Sequence, residues 1–82
     1  MPLKVDCVGT MSGVDTMRIS GFMDGELSEL KNMEHTESVE KLMDMLDARN
    51  GALGRRWVRG YGVRSVWYDD EYAYVNIWNS CD

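Results

Sequence analysis

The sequence predicts an α+β fold, a single antiparallel sheet in the order β-β-α-β-β-β with one main helix packed on one face. Three observations predict it. Apolar residues near both ends of the chain alternate with polar ones, the two-residue period of half-buried strands. One central stretch, residues 36–49, repeats its apolar residues at helical spacing instead. The chain has 82 residues, 44% hydrophobic and 28% charged, a globular balance that fits one domain over residues 1–82. A chain of this size buries only roughly 60–65% of its unfolded surface, so the core is modest and a deep cleft is not expected.

Leu3, Val5 and Cys7 alternate with Lys4 and Asp6, and Met17 and Ile19 alternate with Thr16, Arg18 and Ser20. Two strands of a hairpin follow, joined through Gly9-Thr10-Met11-Ser12-Gly13, a loop longer than the favoured two residues. Asp24-Gly25 is a turn signal, and the three-residue steps from Leu27 to Leu30 to Met33 favour a short helical turn over a strand. Over 36–49, Val39, Leu42, Met43 and Leu46 form the buried stripe, with Thr36 as N-cap and Glu37 and Glu40 near the positive helix end. Glu37 and Lys41 stand one turn apart as an exposed ion pair, and Asn50-Gly51 is the stop. The rest reads as β. Arg55–Arg59 is a short strand between Gly54 and Gly60-Tyr61-Gly62, and Val63–Tyr68 and Tyr72–Trp78 flank the turn Asp69-Asp70-Glu71. In the last strand Ala73, Val75 and Ile77 face the helix, which leaves Tyr72, Tyr74, Asn76 and Trp78 on a partly wet face.

The formal charge is −5, which argues against generic affinity for nucleic acid or anionic membrane. Its distribution is uneven: residues 24–47 carry eight acids against two lysines, whereas residues 48–65 carry five arginines and no acid. The N-terminus lacks the apolar segment of a secretory signal, and no apolar run is long enough to span a bilayer. A soluble protein of the cytoplasm is the expectation. Cys7 and Cys81 stand far apart without C-x-x-C spacing, so two reduced thiols are expected, with a bridge between the chain ends as the alternative.

The residues that carry chemistry are sparse. His35 is the single histidine, so a histidine triad or a multi-histidine metal site cannot be built within one chain. His35-Thr36-Glu37 has the H-x-E look of zinc deaminases but lacks the P-C-x-x-C partner. The acidic turn at Asp69 could attract a divalent cation, although a solvated turn explains it as well. The glycines at 51 and 54 match no phosphate-binding loop. Neither an enzyme, nor a cofactor, nor a metal site is expected.

Two surfaces remain as candidates for binding, and a protein partner is the expectation. The first is the acidic stretch Asp24, Glu26, Glu29, Glu34, Glu37, Glu40, Asp44 and Asp47, which could meet the basic groove of a nucleic-acid-handling protein and be steered to it electrostatically. The second is the basic-aromatic strip Arg55, Arg56, Trp57, Arg59, Tyr61, Arg64 and Trp67, continued by Tyr68. Arginine pairs with phosphates and aromatic rings stack on bases, and the same residue types dominate protein interfaces. Contact between this strip and nucleic acid is disfavoured by the overall charge. A third possibility is self-association through Tyr72, Tyr74 and Trp78, so a monomer or a homodimer is expected.

A very small α+β chain with an acid-rich helical segment (Glu26, Glu29, Glu34, Glu37, Glu40, Asp44, Asp47) and an aromatic β-meander resembles the small phage-encoded inhibitors of host defence, the anti-CRISPR proteins above all. The likeness lies in overall character. It implies a stoichiometric inhibitor in the host cytoplasm that occupies a nucleic-acid-binding or subunit-contact surface of a CRISPR effector, part of it by DNA mimicry. The arginine strip departs from a pure DNA mimic.

Overall fold

The computed structural model describes residues 2–58 and 62–78. Ser12 and Gly13 both take left-handed backbone, with φ of 51° and 81°, the geometry of a two-residue hairpin turn. They join β1 (Lys4–Met11) to β2 (Val14–Ser20). The strands thus run on through the polar stretch that alternation suggests is a loop. Val8 is an extra residue at the register shift between Cys7 and Gly9, and such a bulge breaks the period that would have revealed the strand's full length.

Gly25, at φ 83°, turns the chain into α1 (Glu26–Asn32), whose Leu30 is buried while Leu27 and Met33 pack partly against the core. The longest helix, α2 (His35–Arg49), buries Leu42, Met43, Met45 and Leu46, with Val39 at the margin. Its cap differs from the expected Thr36. The carboxylate of Glu34 accepts the Thr36 N–H, at 2.9 Å from each oxygen, so the helix starts at His35. A longer acidic side chain reaches a first-turn donor that the threonine, already inside the helix, does not cap. Lys41 does not pair with Glu37 either, because its ammonium goes to Glu29 of the neighbouring α1. At the other end, the Asn50 amide accepts from Leu3 N–H at 3.0 Å and donates to Leu3 C=O at 2.9 Å, tying the end of α2 to the entry of β1.

The expected strand at 55–59 is replaced by helix. Residues Leu53–Arg56 form α3, and Trp57 and Val58 continue in a wider helical turn. Arg59 lies outside the described residues. Gly51 and Ala52 both take left-handed backbone, with φ of 63° and 66°, and fold α3 back on α2. Asp47 then accepts the Arg55 N–H at 2.6 Å. Burial of Trp57, only 3% exposed, outweighs the local preference of an Arg-Trp-Val run for extended backbone. The element order is therefore β-β-α-α-α-β-β.

Strands β3 (Val63–Tyr68) and β4 (Ala73–Trp78) close the sheet, all antiparallel in the order β1-β2-β4-β3. Asp69 makes their turn by accepting N–H groups from Glu71 at 2.8 Å and Tyr72 at 2.7 Å. On the inner face Ile19, Val66, Ala73, Val75 and Ile77 join Leu3, the α1 and α2 residues and Trp57 in one core. Completely buried side chains such as Ile19, Leu42, Leu46 and Val75 each contribute roughly 1.5–3 kcal/mol. Because the buried partners all lie on the helical side, the opposite sheet face is left open. The expected α+β fold with a single sheet is what forms.

Candidate binding surfaces

The acidic stretch does not form one surface, because folding uses half of it. Arg49 donates from both terminal guanidinium nitrogens to the two carboxylate oxygens of Glu26, the Nη1–Oε1 distance being 2.9 Å, and so fastens α1 to α2. This bidentate bond holds Glu26 far below its ordinary value, at about 2, against the opposing effect of burial. Glu29 is paired with Lys41, Glu34 caps α2 and Asp47 binds the backbone of α3. Among the described residues, Glu37, Glu40 and Asp44 have neither a hydrogen-bond nor an ion-pair partner, and all three are exposed. Spaced at i, i+3 and i+7, they share the outer side of α2. Asp24 is exposed just before α1.

The basic-aromatic strip is dispersed. Arg55 and Arg56 are exposed on α3, Trp57 is in the core, and Arg59 and Tyr61 lie outside the described residues. Arg64 and Trp67 stand on β3 and face the open side of the sheet. Tyr68 turns inward, where its hydroxyl donates to Ser38 Oγ at 3.1 Å. Burial raises the Tyr68 pKa, with the bond to Ser38 working the other way.

What the fold assembles instead is an aromatic array on the open face. Trp67 stacks on Tyr74 with ring centroids 5.3 Å apart and planes 8° from parallel, and Tyr72 meets Tyr74 edge-on at 6.1 Å. The Arg18 guanidinium lies 4.6 Å above the Tyr72 ring, and that of Arg64 lies 5.3 Å above Trp78. Such contacts contribute about 0.5–1 kcal/mol each at exposed sites. Tyr74 donates to Asp69 at 2.8 Å. That bond raises the Tyr74 pKa, while Asp69 is lowered first by the Glu71 N–H, then by the Tyr74 hydroxyl and the Tyr72 N–H. Between the two tryptophans runs a polar row in which Thr16 donates to Asn76 at 2.7 Å and Asn76 donates to Ser65 at 3.2 Å. A shallow depression of about 340 Å³ opens beside it, lined by Gly9, Thr10, Met11, Val14, Thr16, Arg64 and Asn76.

The open face of β4 follows from alternation, and the structure places Tyr72, Tyr74, Asn76 and Trp78 on it together. Arg18 is the contributor that no local pattern singles out. Its pairing opposite Tyr74 depends on β2 being next to β4, a non-local fact.

Among the described residues, no group of three or more His, Cys, Asp or Glu side chains is placed to hold a metal ion. Cys7 is exposed on β1, with its sulfur 3.6 Å from the Gly9 carbonyl oxygen, and Cys81 lies outside the described residues. No helix among the described residues is long and apolar enough to cross a membrane. In comparison with known proteins, the chain matches no family model, no curated protein and no solved structure.

Proposed function

We propose that this domain is a non-catalytic, protein-binding inhibitor of anti-CRISPR type, which acts in the host cytoplasm and covers a basic nucleic-acid-binding or subunit-contact surface of a CRISPR effector complex. The observation that carries the reading is the outer side of α2. Glu37, Glu40 and Asp44 share that exposed side and, among the described residues, no cation neutralises them. Their charge is available to a partner, whereas that of Glu26 and Glu29 is satisfied within the domain. With a chain charge of −5, approach to a basic groove is accelerated electrostatically and the complex weakens as salt rises.

The test is inhibition of target-DNA binding by a panel of purified CRISPR effector complexes, measured with increasing amounts of the domain. Loss of DNA binding that is complete near one molar equivalent per site is expected for at least one complex. A panel in which every complex binds DNA unaffected by a large excess of the domain would contradict the reading.

A further inference from the structure

The proposed inhibitor uses one side of the molecule, and the open sheet face on the other side has properties of its own. Arg18 and Arg64 lie there over aromatic rings, with Lys4 at the margin beside Asp6. Asp69 meets the face at the turn through the Tyr74 hydroxyl, and Asp15, the other acid in the strands, pairs opposite the inward-facing Ile77. A chain of net charge −5 thus carries a pair of arginines on this face, and eight of its fourteen acids stand on or beside the helices. Whole-chain charge, which argues against nucleic acid, does not describe this surface.

The arrangement also keeps the Trp67–Tyr74 stack apart from Trp78. Tyr74 and Trp78 stand four positions apart on β4 with Asn76 between them, so their rings are about 13 Å apart along the strand. Bases in a duplex rise by only about 3.4 Å. Rings spaced in this way suit bases that are splayed apart, as they are in single strands. Trp67 and Trp78 are 41% and 48% exposed, and the amide of Asn76 stands between them in a polar row with Ser65. Interface cores between proteins are depleted of charged residues other than arginine. On this face Arg18, Arg64 and the Asn76 amide stand among the rings, and Met11, Val14 and Trp78 form an apolar row across the strands.

We propose that the open sheet face binds single-stranded nucleic acid, with Trp67 and Trp78 stacking on bases, Arg18 and Arg64 meeting phosphates, and the depression beside Asn76 receiving a base edge. The inhibitor could then engage the partner's protein surface and its exposed strand on opposite sides. The two contacts are separable by mutation.

The experiment is fluorescence anisotropy with labelled single-stranded DNA and RNA 12-mers at low salt, set beside the matching duplex and a poly-glutamate peptide. Preferential single-strand binding is expected, with a log–log salt slope of about −1.4, as two cations acting on a single strand give. Trp67→Ala should weaken binding about 10-fold. It removes a half-exposed ring that stacks on Tyr74, so a melting temperature lowered by only a few degrees and a monomeric sedimentation profile are expected alongside. Reversal of Glu37, Glu40 and Asp44 to lysine should not weaken binding, which keeps this result independent of the α2 contact. Three outcomes overturn the proposal: no single-strand binding at low salt, equal binding of duplex or poly-glutamate that Trp67→Ala leaves unchanged, and self-association through this face that excludes the nucleic acid.

Discussion

Arg49 holds Glu26 by two parallel hydrogen bonds, one of them 2.9 Å long, between the last turn of α2 and the first turn of α1. An acid that charge counting assigns to a binding surface therefore serves as a clamp between helices. The distinction has consequences for stability, for specificity and for the choice of mutations.

The clamp predicts acid sensitivity. Glu26 has an ordinary pKa near 4.5 and a folded value of about 2, so its contribution is complete above about pH 4.5 and is lost as pH falls toward 2. After allowance for solvent screening the loss amounts to about 1–2 kcal/mol. Denaturant unfolding at a series of pH values should show Glu26→Gln less stable than wild type at pH 7 and the difference shrinking by that amount near pH 2. Parallel stability curves would count against the clamp.

Gly54 packs against the backbone of Met43. A Cβ at position 54 would lie 2.9 Å from the Met43 Cα and carbonyl carbon, and neither atom can rotate away. Gly54→Ala should push α3 off α2 and destabilise the domain by about 1–3 kcal/mol, the usual range for overpacking. Urea unfolding checks this.

Trp57 is part of the core at 3% exposure, so it is unavailable for stacking on a ligand. Trp57→Ala should cost about 3–5 kcal/mol and leave little folded protein at 37 °C, whereas Trp67→Ala should fold normally. Circular dichroism melts of the two variants would reveal the contrast, and a similar effect of both would contradict the assignment of faces.

Ser38 is 1% exposed and satisfied twice, donating to the His35 carbonyl at 2.8 Å and accepting from Tyr68 at 3.1 Å. Tyr68→Phe removes one of these bonds and should lower stability by about 1 kcal/mol. It leaves the open sheet face and the α2 outer side untouched, so binding through either should not change.

These cases show where the sequence was legible. The stripe of Leu42, Met43 and Leu46, the helical turn around Leu30 and the inward set of Ala73, Val75 and Ile77 all follow from local periodicity. The same alternation places Tyr72, Tyr74 and Trp78 on the open side. Missed features depend on distant partners or on broken periods. The bulge at Val8 hid the length of β1, and the fit of Gly54 on Met43 decided that residues 53–56 coil rather than extend. The ion pairs of Glu26 and Glu29 needed the packing of α1 on α2, which no spacing in the chain encodes. Sheet order brought Arg18 beside Tyr72 in the same way. Half of the acidic stretch is therefore satisfied within the fold, and of the basic-aromatic strip Arg64 and Trp67 share the open sheet face while Trp57 is in the core.

The most direct measurement of the central claim is the affinity of the domain for an effector complex that it inhibits, taken across a salt series for wild type and for the triple variant Glu37→Lys, Glu40→Lys, Asp44→Lys. These positions are exposed and unpaired among the described residues, so the variant should melt as the wild type does. The account predicts that binding weakens at least 100-fold and loses most of its salt dependence. Unchanged affinity and salt dependence in a folded triple variant would contradict it.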